Sequence, residues 1–166
     1  MDRLVLTPVE IVATLKPAAI VLGILFILNA IGLGHYGPTD LYAIGGSILA
    51  GAFAAPVLLP WIPGRAFAFK GFLLGLAWAV GVGFLNGWPG EPSFGWIKMG
   101  AYLALLPAVS AYIAMNFTGA STYTSPSGVV KEMKLAMPWQ IIGAGAGIAL
   151  LLANDIVLVL GLKEVF

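Results

Sequence analysis

The chain of 166 residues has no cysteine, a single histidine and few charges, with Asp, Glu, Lys and Arg making up only 9% of it. Without cysteine there are no thiolate nucleophiles, no disulfides, and no Cys-ligated iron–sulfur or zinc sites. His35, in the stretch "GLGHYGP", has no second histidine with which to share a haem or a metal, and reads as a loop residue. Soluble domains carry roughly one quarter charged residues, so the scarcity of charge excludes an ordinary soluble domain. A net charge of +1 provides no field for binding nucleic acid or steering an acidic partner.

What fills the chain is hydrocarbon: 60% of residues are hydrophobic and the mean hydropathy is +1.00. A membrane-crossing helix needs about 20 mostly apolar residues, and five stretches approach or reach that length: 17–33, 41–59, 69–85, 97–117 and 138–160. The expected fold is therefore an all-α integral membrane domain over 17–160 with five transmembrane helices. The connections "GLGHYGPTD", "PWIPGRAFAFK" and "NGWPGEPSFGW" are rich in the Gly and Pro that stop helices. In the first sixteen residues, Thr7 as cap, Pro8 at the first helical position and Glu10 as its partner predict a short interfacial helix. Asp2 and Glu10 ahead of the first apolar run do not suit a cleaved signal peptide, so that run is expected to be retained. Residues 161–166 form a tail.

Lysine and arginine set the orientation. Five spans place Arg3, Lys16, Arg65, Lys70, Lys131 and Lys134 on one side, and Lys98 and Lys163 on the other. The positive-inside rule then puts the N-terminus in the cytoplasm and the C-terminus outside, in a bacterial or archaeal cytoplasmic membrane. Trp61 and Trp139 fit the inner aromatic belt, Trp88 and Trp96 the outer one. Gly71 with Gly75, and Gly143 with Gly147, have the spacing that lets helices approach closely in lipid. They suit internal packing first, and a homo- or hetero-oligomer seam second.

Ionisable groups within a span are costly and mark function by default. Asp155, beside Asn154 in the last span, is the sequence's candidate, with Lys98 as its expected partner. Asn29 and Gln140 read as interhelical hydrogen-bonding residues, and Glu91 as a solvated turn residue. One carboxylate without companions at matching depth is weak support for a transporter, the lowest-ranked of three functional readings.

The longest polar interruption is "MNFTGASTYTSPSGVVKEMK", residues 115–134, within an expected cytoplasmic loop over 116–137. It carries Thr118, Gly119, Ser121, Thr122, Tyr123, Thr124, Ser125 and Ser127, then Lys131 and Lys134. Ser125 followed by Pro126 predicts a helix start, with Val129, Val130, Met133 and Leu135 as an apolar stripe. The loop contains no nucleophile–base pair and no metal-ligand set. A docking surface suits it, and catalysis does not.

This stretch, with the following "AMPWQI" and the N-terminal "DRLVLTPVEI…LKP", resembles the membrane portion of the mercury-methylating corrinoid protein HgcA and its membrane-bound relatives. The resemblance covers essentially the whole chain, is specific in those motifs and is compositional between them. It implies a cobalt corrinoid carried on a separate cytosolic domain, methyl transfer there, and a ferredoxin-like partner. The family's cobalt-ligating cysteine and its Asn-x-Trp-Cys-Ala motif are absent here, so no cofactor is expected in this chain and no catalytic residue carries over. The chain is then either a separate anchor and docking subunit or the membrane piece of a longer corrinoid-dependent methyltransferase. The alternative is a structural subunit inside a larger respiratory or photosynthetic complex.

Overall fold

The computed structural model describes residues 37–64, 66–89, 95–120 and 126–159. The expected first span, the interfacial helix, Asn29, His35, Glu91, residues 121–125 and the tail lie outside them. The described residues form four helices long and apolar enough to cross a membrane. Helix α1 is Pro38–Leu58, α2 Phe67–Leu85, α3 Trp96–Ala120 and α4 Pro126–Val159.

Prolines shape α1 without ending it. Its α-helical start, Pro38–Leu49, widens into π turns at Ala50–Ala54 before returning to α geometry at Ala55–Leu58. Pro56 supplies the cause: it has no N–H for the carbonyl of Ala52, and its ring crowds that carbonyl. Pro107 and Pro138 are likewise carried inside α3 and α4. Helix α2 ends in a Schellman turn, with Trp88 N–H donating to the Gly83 carbonyl (3.0 Å) and Gly87 N–H to that of Phe84 (3.1 Å). Gly87 accepts the left-handed φ of +77° that this turn requires.

Helix α3 is central and packs on α2, α4 and α1. Close approach depends on missing side chains. A Cβ at Gly71 would lie 2.5 Å from Ala114 Cβ, and one at Gly75 would lie 2.6 Å from Pro107 Cα. On the opposite side, a Cβ at Gly147 would lie 2.7 Å from Leu105 Cβ. Both glycine pairs therefore face α3, and their pairings make α2 and α4 antiparallel to it. The core between helices is small and apolar, built from Ala43, Ile44, Ala79, Val82, Leu105 and Leu106 among others.

The polar interruption is shorter than the sequence suggests. Helix α3 continues through Thr118 and Gly119 to Ala120, and α4 starts at Pro126 and passes unbroken through Pro138. Only 121–125 separates them. Pro126 occupies the first turn, where its missing N–H costs nothing, and good helix formers from Lys131 to Met137 carry the helix onward. One 34-residue helix thus replaces a loop followed by a span.

Candidate functional site

The densest polar constellation lies at the end where α1 and α3 begin, around a residue the sequence analysis had left in a loop. Helix α1 starts at Pro38, so Asp40 falls in its first turn. There Asp40 Oδ2 accepts the Gly37 N–H at 2.9 Å, the reach-back half of a capping box. Its other oxygen accepts the Tyr102 hydroxyl at 2.5 Å, and the Lys98 ammonium sits 3.2 Å from the carboxylate. Lys98 and Tyr102 are one turn apart on α3 and so reach the same point; Nζ also lies 5.8 Å from the Tyr102 ring centre. The Asp40 side chain is 4% exposed and that of Lys98 14%, so this is a buried pair.

A second shell of bonds ties α2 to the same knot. Thr39 donates to Asn86 Oδ1 (3.3 Å), and the Asn86 amide donates to the Tyr42 hydroxyl and to the Val82 carbonyl. One level deeper, Trp78 Nε1 donates to the Ala43 carbonyl at 2.8 Å. The Asp40 carboxylate is thus held by an amide, a phenol and an ammonium, which fixes α1 to α3, while Asn86 ties α2 to α1 beside it. Among the described residues no group of three or more His, Cys, Asp or Glu gathers to hold a metal ion.

The ion pair seen for Lys98 thus joins it to Asp40, where the sequence had suggested Asp155. A signal was available in "GPTD": Gly as cap, Pro at the first helical position and an acid at the third are a helix start. Asp155 is buried on α4, with Asn154 half-buried beside it. Gln140 does face α3, but its amide nitrogen reaches only Met115 Sδ at 4.0 Å, and its buried Oε1 has no hydrogen-bond partner among the described residues.

The opposite end holds the other expected residues. Glu132 turns inward, its Oε1 accepting the Ala68 N–H at 2.7 Å and so capping the start of α2. Lys70 is buried, with Nζ donating to the Leu59 carbonyl at the end of α1. Ser127, Lys131 and Lys134 are exposed on α4, as are Val130, Met133 and Leu135 of the expected stripe. The backbone of Thr118 and Gly119 closes α3, while Ser121, Thr122, Tyr123, Thr124 and Ser125 lie outside the described residues. No family model matches the chain, and neither does any curated protein or solved structure. The site therefore rests on its own geometry. The described chain is an apolar bundle fit for a bilayer, with a closed polar knot at one end and an exposed basic helix start at the other.

Proposed function

We propose that the chain is a membrane-embedded anchor and docking part of a larger assembly, and that its partner is a cytosolic corrinoid methyl-transfer module of the HgcA-like kind. The observation that supports docking is the register of α4. Glu132 is level with the first turn of α2, so residues 126–131 stand about 9 Å beyond the start of that helix. Ser127 and Lys131 are exposed there, and the backbone of Thr118 and Gly119 closes α3 at the same end.

Lys70, Lys131 and Lys134 gather at this end and Lys98 at the other, which favours placing it in the cytoplasm. Nothing in the chain replaces the cysteine with which the family holds cobalt, so the corrinoid and its methyl chemistry belong to the partner, together with any ferredoxin-like electron donor. The contribution of this chain is attachment: lysines for acidic or phosphate groups, hydroxyls and backbone for a polar floor. Mass spectrometry and absorption spectroscopy of the complex gently solubilised from its native membrane test this. A co-purifying corrinoid protein, photo-crosslinked through position 127, is expected; a native complex without any corrinoid protein overturns it.

A second reading is favoured by one feature of α4. Its apolar residues Ile141, Ile148, Leu152 and Ile156 are exposed along the span, as they would be in a structural subunit buried against other membrane proteins of a respiratory or photosynthetic complex. Protein crosslinks concentrated at those positions, and absent from 127, would select it.

A further inference from the structure

The outward side of α4 presents Met133, Lys134, Met137, Pro138, Ile141 and Ile142, together with Val130, as one largely exposed apolar surface ending in a lysine. These positions recur at three- and four-residue steps, so they form one continuous helix face. Gly143, which faces Ala104 and Ala108 of α3, is nine residues from Lys134. At 100° per residue that is half a turn, so this surface faces away from the bundle.

Glu132 is level with the start of α2, and Lys134 follows two residues later, near the outer end of the apolar stretch Val130–Val157. Met137 to Ile142 run about 5–12 Å further in at 1.5 Å per residue. With that end of α4 at the membrane interface, the surface has a cationic end among the headgroups and an apolar continuation towards the hydrocarbon. Lys131 stands one turn further out, and the nearby acid that would neutralise the pair, Glu132, is turned inward onto the Ala68 amide.

The geometry points to a bound anionic phospholipid, its phosphate held between Lys131 and Lys134 and an acyl chain laid over Met137, Pro138, Ile141 and Ile142. Charge complementarity selects an anionic lipid over a neutral one, because basic sites at the cytoplasmic side recognise acidic headgroups. The apolar length below the lysines selects a lipid over a soluble anion. This site shares Lys131 with the docking reading but needs no corrinoid partner, so a purified chain without partner tests it separately.

Native mass spectrometry of the full chain in nonionic detergent, titrated with phosphatidylglycerol or phosphatidylcholine, tests the site. Phosphatidylglycerol adducts are expected at concentrations that leave phosphatidylcholine unbound. The paired substitutions Lys131→Gln and Lys134→Gln should weaken phosphatidylglycerol binding about thirtyfold, from about fivefold per lysine. Ile141→Ser, which removes apolar surface without changing charge, should weaken it as well. Equal binding of the two lipids, or no response to the lysine pair, overturns the assignment. Should a variant not fold, a photoreactive phosphatidylglycerol in native membranes gives an independent readout on the unaltered chain. Label confined to 130–142 supports the site; label spread evenly over the spans, or a protein crosslinked there instead, overturns it.

Discussion

Removing the Asp40 carboxylate should unfasten the start of α1 from α3. In Asp40→Ala, the Lys98 ammonium loses a partner 3.2 Å away and the Tyr102 hydroxyl loses an acceptor 2.5 Å away. The first turn of α1 also loses the acceptor of the Gly37 amide. Breaking one side of a buried ion pair costs about 3–5 kcal/mol, and both side chains here are well below one-third exposed, so solvent screening does little to reduce it. The hydrogen-bond losses belong to the same network and are not added on top. Stability measured by unfolding the full chain reversibly in mixed micelles, followed by tryptophan fluorescence, should therefore fall by about 3–5 kcal/mol. Asp40→Asn should fall less, because it keeps an acceptor for Tyr102. The decisive comparison is a double-mutant cycle with Lys98→Met, in which the second substitution should cost little once the first is made. A coupling of about 1–3 kcal/mol is expected; a value under about 0.5 kcal/mol, or fully additive losses, would refute the knot as an energetic unit.

The other predictions use the same assay. Gly75→Ala places a methyl 2.6 Å from Pro107 Cα, a backbone atom that cannot step aside, and should cost about 1–3 kcal/mol. Gly145→Ala, with open space around its Cβ position, should stay within about 0.5 kcal/mol of the parent; equal losses at both sites would disprove the close α2–α3 contact. Gln140→Leu deletes a buried oxygen that has no hydrogen-bond partner among the described residues, so stability should hold or rise by up to about 1–3 kcal/mol, and a clear loss would refute this. Glu132→Ala removes the side-chain acceptor of the Ala68 amide and should cost about 0.5–2 kcal/mol, with faster hydrogen exchange in the first turn of α2 as the local signature.

The spans were legible because their signal is length and hydrophobicity, which bilayer thickness enforces regardless of the neighbours. Phe67–Leu85 and Trp96–Asn116 fall within a few residues of the stretches read from sequence. The helix-facing glycines were legible for a similar reason: a four-residue spacing is local, and only small residues let backbones meet. The buried pair was not. Asp40 sits 58 residues from Lys98, and nothing in the composition of either stretch connects them. An acid just after a Gly-Pro turn looks like a solvated loop residue until the helix begins two residues before it. The continuous α4 escaped for the opposite reason. A proline preceded by polar residues reads as a helix start, yet a helix already established by Pro126 can carry Pro138 at the cost of one hydrogen bond.

That continuity changes what the polar stretch can do. A free loop of some twenty residues would lose much conformational entropy on binding a partner, since ordering each backbone residue costs about 1–2 kcal/mol. Here most of those residues are already helical on both sides, and Glu132 fastens one side to α2. Only 121–125 remains to connect two fixed helix ends. A surface prepared in this way binds with less loss of freedom, the general route by which preorganisation raises affinity. On the two proposals its lysines divide the contacts: Lys131 would meet a soluble module beyond the start of α2, and Lys134 a lipid headgroup. A single helix can therefore serve two different partners at adjacent turns, and substituting the two lysines one at a time separates them. Loss of Lys131 should weaken both contacts, whereas loss of Lys134 should weaken the lipid and leave docking at position 127 intact.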